Sequence, residues 1–203
     1  MLERELLDAA LAALANIHRA EAVTFQRPEA EATGEALLRG GLEAVEQPQC
    51  DYDAAIRALL LASPHPAAQA LLAAQHFIPW DTNPVGDAVP EELKVYTVST
   101  LMGPEGPIYA PNLRCGLYYQ RPGSYYPLHD HDADETYVIL AGDTMWTAGD
   151  DTREREVGEM IHHPSHMPHA FRTESGVLAM WRWSGDVNLE SYRFLPDPAL
   201  ASA

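Results

Sequence analysis

The chain has 203 residues and a mass of 22.4 kDa, enough for one domain with a substantial core and one functional centre. Its 13 Lys and Arg against 30 Asp and Glu give a net charge of −17, which repels phosphate backbones and anionic lipid, so neither nucleic acid nor a membrane is an expected partner. No apolar run approaches the ~20 residues of a membrane helix, and Cys50 and Cys115 lie too far apart for a CxxC pair, leaving two reduced, structural thiols as the expectation.

Along the chain, Leu2, Leu6, Leu7, Ala10, Leu11 and Leu14 repeat at helical spacing. Glu3, Glu5 and Asp8 stand where a secretory signal requires positive charge, so a cytoplasmic location is expected. Ile56, Leu59 and Leu60 predict a second helix with Asp51 as its N-cap, and a third is expected from Ser63 with Pro64 and Pro66 in its opening turn. The texture changes over residues 77–92, where prolines and a glycine interrupt the pattern. Residues 1–77 are therefore expected to form a helical extension that covers a barrel mouth or mediates dimerisation, giving a homodimer. Beyond it come KVYTVST, LRCGLYYQ, ETYVIL, DTMWTA, VLAMWRWSG and ESYRFL, short stretches rich in valine, tyrosine, threonine and tryptophan and separated by glycine-bearing turns. They predict a mostly β sandwich or barrel over residues 78–197, with a flexible tail at 198–203.

Within that region His129 and His131 stand at i and i+2, on one face of a strand, with Glu135 four residues on. Glu135 and Tyr137 repeat the i, i+2 relation, so all four side chains can point into one cavity. Imidazole and carboxylate together suit Zn, Fe, Mn, Co or Ni, and one such divalent ion per chain is the expected cofactor. A second segment, from Gly158 to Thr173, offers His169 as a fourth ligand. Of the histidines crowded around it, alternation sends one of His162 and His163 inward and the other outward. His166 is a candidate for orienting a ligand or substrate. His18, His65 and His76 read as surface residues.

These two segments resemble the paired motifs of the cupin superfamily. The first, G-x5-H-x-H-x3-E-x6-G, is matched from Gly123 to Gly142, and the resemblance implies His129, His131, Glu135 and His169 as metal ligands. It also implies a single double-stranded β-helix, or jelly-roll barrel. The second motif is matched at Gly158, Pro164 and His169 but carries His166 where glycine is usual and Thr173 where asparagine is usual. The departure at residue 166 bears on a tight turn, since glycine tolerates positive φ far better than histidine.

Spacing alone leaves Tyr137 with two readings, a base beside a metal or a core aromatic with a satisfied hydroxyl. The run YYPLHDHDADETYVILAG, the helical extension and the chain length resemble the cupin-type dimethylsulfoniopropionate lyases, in particular their DddQ-like members. That resemblance implies a zwitterionic small-molecule substrate, Tyr137 as the base, Tyr126 beside it, and cleavage to dimethyl sulfide and acrylate. A sulfonium group calls for aromatic faces, and Tyr118, Tyr119, Tyr125, Trp146, Trp181, Trp183 and Tyr192 are available. The same ligands also serve cupin dioxygenases and isomerases, or a cupin that binds a small molecule without turnover, and these remain alternatives.

Overall fold

The computed structural model of the protein describes residues 2–200. Two sheets form a β-sandwich of jelly-roll type. β1 (Tyr96–Gly103), β2 (Ile108–Tyr109), β3 (Leu113–Gln120), β5 (Asp134–Gly142), β8 (Met160–His163) and β10 (Val177–Ser184) make one sheet in the order β2-β1-β3-β10-β5-β8. β4 (Ser124–Asp130), β6 (Thr144–Ala148), β7 (Asp151–Arg155), β9 (His169–Thr173) and β11 (Arg193–Phe194) make the other, in the order β11-β4-β9-β6-β7. Four of these strands escape the sequence pattern. β2 and β8 are too short to show a period, β7 (DTRER) is an exposed charged edge, and β9 lies inside the second histidine motif.

Because side chains alternate along a strand, the six-stranded sheet has two apolar faces, and both are buried. The inner one contributes Tyr118, Tyr137, Ile139, Ala179, Trp181 and Trp183 to the core between the sheets. The outer one presents Leu117, Tyr119, Val138, Leu140, Leu178 and Met180 to the helices. Those helices are α1 (Leu2–Phe25), α2 (Pro28–Arg39), α3 (Asp53–Ala62) and α4 (Ala68–Ala74). Their apolar side packs within the chain on the outer sheet face. The expected helix from Ser63 starts only at Ala68. Ser63 instead ends α3, its hydroxyl bonding Leu140 O at 2.5 Å. Asp51 does not cap α3, whose preceding residue is Tyr52.

Close strand approach has a glycine requirement at Gly116, where a Cβ would lie 1.7 Å from Ser99 O beside the bulge between Thr100 and Met102. The prediction that His18 is a surface residue is overturned: it is fully buried on α1 with Glu21, which binds Arg182 of β10. The hydrogen bonds and ion pair among the three groups offset part of the cost of burial, while His18 Nε2 and Arg182 Nη1 have no partner among the described residues. His76 is exposed as expected and His65 half-buried. Cys50 and Cys115 are free and buried. Among the described residues, no helix is long and apolar enough to cross a membrane. Of the expected tail, Leu200 N closes a turn onto Asp197 O, and residues 201–203 lie outside the described residues.

Candidate metal centre

β4 and β5 bring the first histidine motif inward, and β9 brings the second. His129 lies on β4 opposite His169 of β9, while His131 lies one residue past the end of β4, where the chain turns toward β5. One ligand atom from each of His131, Glu135 and His169 lies within 4.8 Å of the others, and all three side chains are buried. His129 lies beside this trio. Its ring centroid is 4.0 Å from that of His169 and 6.4 Å from that of His131.

The backbone fixes the protonation pattern. Nδ1 of His129, His131 and His169 lies 2.8, 3.1 and 2.8 Å from the carbonyls of Pro127, Ala133 and Met167. A carbonyl only accepts, so in each neutral ring Nδ1 carries the proton and Nε2 presents a lone pair. Nε2 of His131 and of His169 then sit 3.3 and 3.2 Å from Oε2 of Glu135, lone pair facing lone pair, and His169 Nε2 has no hydrogen-bond partner. Buried acceptors gathered in this way are the donor set of a cation, and the residues fit a divalent metal. Burial, reinforced by neighbouring His169, drops His129 well below its ordinary value.

His163 is the inward member of its pair and reaches Oε2 of Glu135 through Nδ1 at 3.3 Å. His162 faces the helical side, beside Arg27 and 3.2 Å from Thr136 Oγ1. The sequence expected one in and one out but could not say that the inward ring would touch the carboxylate. His166 adopts φ 59°, the conformation for which glycine is usual, and its N–H bonds His131 O at 2.9 Å, so the turn holds the chain of a trio member. Its ring meets Asp132 at 2.5 Å on the surface.

A narrow cavity opens beside the trio, lined by Tyr118, Tyr126, Tyr137, Trp181, Trp183 and Tyr192 among others. Tyr137 lies directly behind Glu135 on β5. Burial is the main influence that pushes its hydroxyl well above 10, and the Glu135 carboxylate adds to it. Tyr126 and Tyr192 share a short hydrogen bond between hydroxyls. Tyr192, expected only as one of several aromatics, is thus the direct partner of Tyr126. The other aromatic candidates point elsewhere: Tyr119 packs on Tyr52, Tyr125 binds Asp197 at 2.7 Å, and Trp146 donates to His163.

Comparison with known proteins points the same way. The family model described as dimethylsulfoniopropionate lyase matches residues 43–179. The chain is 38% identical over 89 residues to dimethylsulfoniopropionate lyase DddQ of Ruegeria pomeroyi, covering 43% of this chain and 44% of that protein. It is 31% identical over 103 residues to the putative dimethylsulfoniopropionate lyase DddL of Cereibacter sphaeroides, covering 49% and 43%. These matches span less than half the length of the curated relatives. Among solved structures, one reported with the DMSP lyases RdDddP and RnDddQII superposes with a TM-score of 0.70 at 22% identity, covering 96% of this chain and all of the other, a likeness of fold. The DMSP lyase DddQ from Ruegeria pomeroyi superposes at 0.55 with 26% identity, covering 87% and 93%.

Proposed function

The chain belongs to the dimethylsulfoniopropionate lyase family, and on that premise we propose that it cleaves dimethylsulfoniopropionate to dimethyl sulfide and acrylate by β-elimination, with Tyr137 as the base. The observation that carries this reading is a buried tyrosine, Tyr137, lining the same aromatic cavity as His129 and as His131 and Glu135 of the trio. His131, Glu135 and His169 would hold the ion, with His129 as the expected fourth ligand. A divalent ion held there supplies Lewis acidity to the substrate carboxylate and a positive charge opposing the upward push on the Tyr137 hydroxyl.

The rest falls to the chain's own groups. Once its own proton has gone to solvent, the Tyr137 phenolate takes the proton α to the carboxylate, the electron pair of that C–H bond becomes the double bond of acrylate, and the carbon–sulfur bond breaks with its electron pair going to sulfur. Dimethyl sulfide leaves neutral, so no acid is needed. Tyr118, Trp181, Trp183 and Tyr192 line the cavity with faces suited to a sulfonium cation. Tyr126, tied to Tyr192, orients that wall.

The test is Tyr137→Phe, which keeps the ring and every trio residue and deletes only the proton acceptor. General bases contribute about 10²–10⁴-fold, so kcat should fall at least about a hundredfold with metal content unchanged. Near-parent turnover in a metal-loaded variant would place the base elsewhere.

A further inference from the structure

The four histidine rings around Glu135 fall into two classes according to what their outer nitrogen does. His129, His131 and His169 give Nδ1–H to backbone carbonyls and turn Nε2 toward the site. His163 is reversed. The Trp146 indole N–H lies 3.0 Å from His163 Nε2, and an indole nitrogen only donates, so Nε2 is unprotonated. The ring's proton is therefore on Nδ1, directed at Glu135 Oε2 at 3.3 Å. Trp183 Nε1 donates to the other oxygen, Oε1, at 2.5 Å. Each carboxylate oxygen thus has its own buried donor.

We propose that Trp146 and His163 form a positioning relay that sets the orientation of the Glu135 carboxylate as a metal ligand, and that His163 takes no part in proton transfer. The proposal rests on the reading of His131, Glu135 and His169 as a metal group. Its geometry bridges the two sheets: Trp146 stands on β6 of the five-stranded sheet, while His163 of β8 pairs in register with Glu135 of β5. Packing holds the relay rigid. His163 stacks on His169 with centroids 4.2 Å apart and planes 14° from parallel, and Trp146 stacks on Phe171 at 4.1 Å. A ligand held by a fixed donor loses less freedom on binding its ion, and such outer partners are typically worth about 10–100-fold in affinity or activity. Because its one basic nitrogen is committed to Trp146, His163 has no lone pair to offer a substrate proton.

The test uses the full chain, stripped with a chelator and refilled with Co2+, reading affinity by chelator competition and ligand geometry by the visible absorption band. His163→Leu should weaken Co2+ binding about 10–100-fold and alter the band. His163→Asn, whose amide nitrogen stands where Nδ1 stood, should recover most of the affinity and the band. Trp146→Phe, which deletes only the indole donor, should shift both in the direction of His163→Leu but less far. Should His163→Leu not fold, the comparison of His163→Asn with Trp146→Phe decides. Parent-like affinity and band in a folded His163→Leu overturn the relay alone, and so does equal weakening in the Leu and Asn variants with Trp146→Phe unchanged. A parent protein that takes up no Co2+, or that binds it equally well as Glu135→Gln, overturns the underlying metal reading as well.

Discussion

Glu21→Gln is the sharpest probe of how the helical layer is fastened to the sheet that carries the site. Glu21 on α1 receives three contacts from the Arg182 guanidinium, Nε to Oε1 and Oε2 at 3.0 and 3.1 Å and Nη2 to Oε1 at 2.5 Å, and both side chains are fully buried. Glutamine keeps the shape but leaves the Arg182 charge uncompensated out of water, which typically costs about 3–5 kcal/mol. For a chain of this size each kcal/mol moves Tm by about 2–4 °C, so a loss of about 6–20 °C is expected by calorimetry. Removing both charges with Glu21→Leu and Arg182→Met should restore most of that loss, because a paired buried charge and a packed apolar pair are close in energy. The pH dependence follows. Burial acts to raise the Glu21 pKa, but hydrogen bonds from His18 and Arg182 outweigh it and hold the carboxyl at about 2. A depressed carboxyl contributes stability that is complete above its ordinary value near 4.5 and is lost as the pH falls toward about 2. His18, lowered by burial, adds a loss of the same sign below its ordinary value of 6.5. Glu21→Gln should flatten the part of the acid limb below 4.5. A variant melting within about 2 °C of the parent, with an unchanged acid limb, would refute the reasoning.

The metal-centre geometry predicts that His131→Ala and His169→Ala each lower metal content at least about tenfold by elemental analysis. His129→Ala decides between three and four protein ligands: retained metal identifies it as a neighbour, and equal loss as a ligand. Tyr126→Phe removes one hydroxyl of the buried Tyr126–Tyr192 pair and leaves the other unpartnered, so it should cost about 1–3 kcal/mol of stability with metal content intact, measured by denaturant titration.

The inner face of the barrel was legible because period two carries Glu135 and Tyr137 to one side of β5 regardless of what surrounds them. The turn at His166 was legible only in part: the motif marks a position that needs positive φ, but histidine in place of glycine counts against the turn, and the structure shows that the histidine adopts it. What the sequence hid depends on partners distant in the chain. His18 looks like a surface residue on a helix until Arg182, 164 positions away, supplies the charge that Glu21 answers. His163 and Trp146 carry no local signal of their pairing, which arises only when β6 and β8 meet across the core. The second apolar face of the six-stranded sheet was equally hidden. A fully buried strand reads as a continuous apolar run, and only the docked helices show which half serves the site.

The central claim is lyase chemistry at this cavity, and it is tested most directly by incubating the purified, metal-loaded protein with dimethylsulfoniopropionate, with and without oxygen. Dimethyl sulfide is read in the headspace and acrylate in solution. Elimination needs no oxidant, so the two products should appear in equal amounts and at the same rate in both atmospheres. Consumption that requires oxygen, or a folded, metal-loaded protein that leaves the substrate intact, would contradict it.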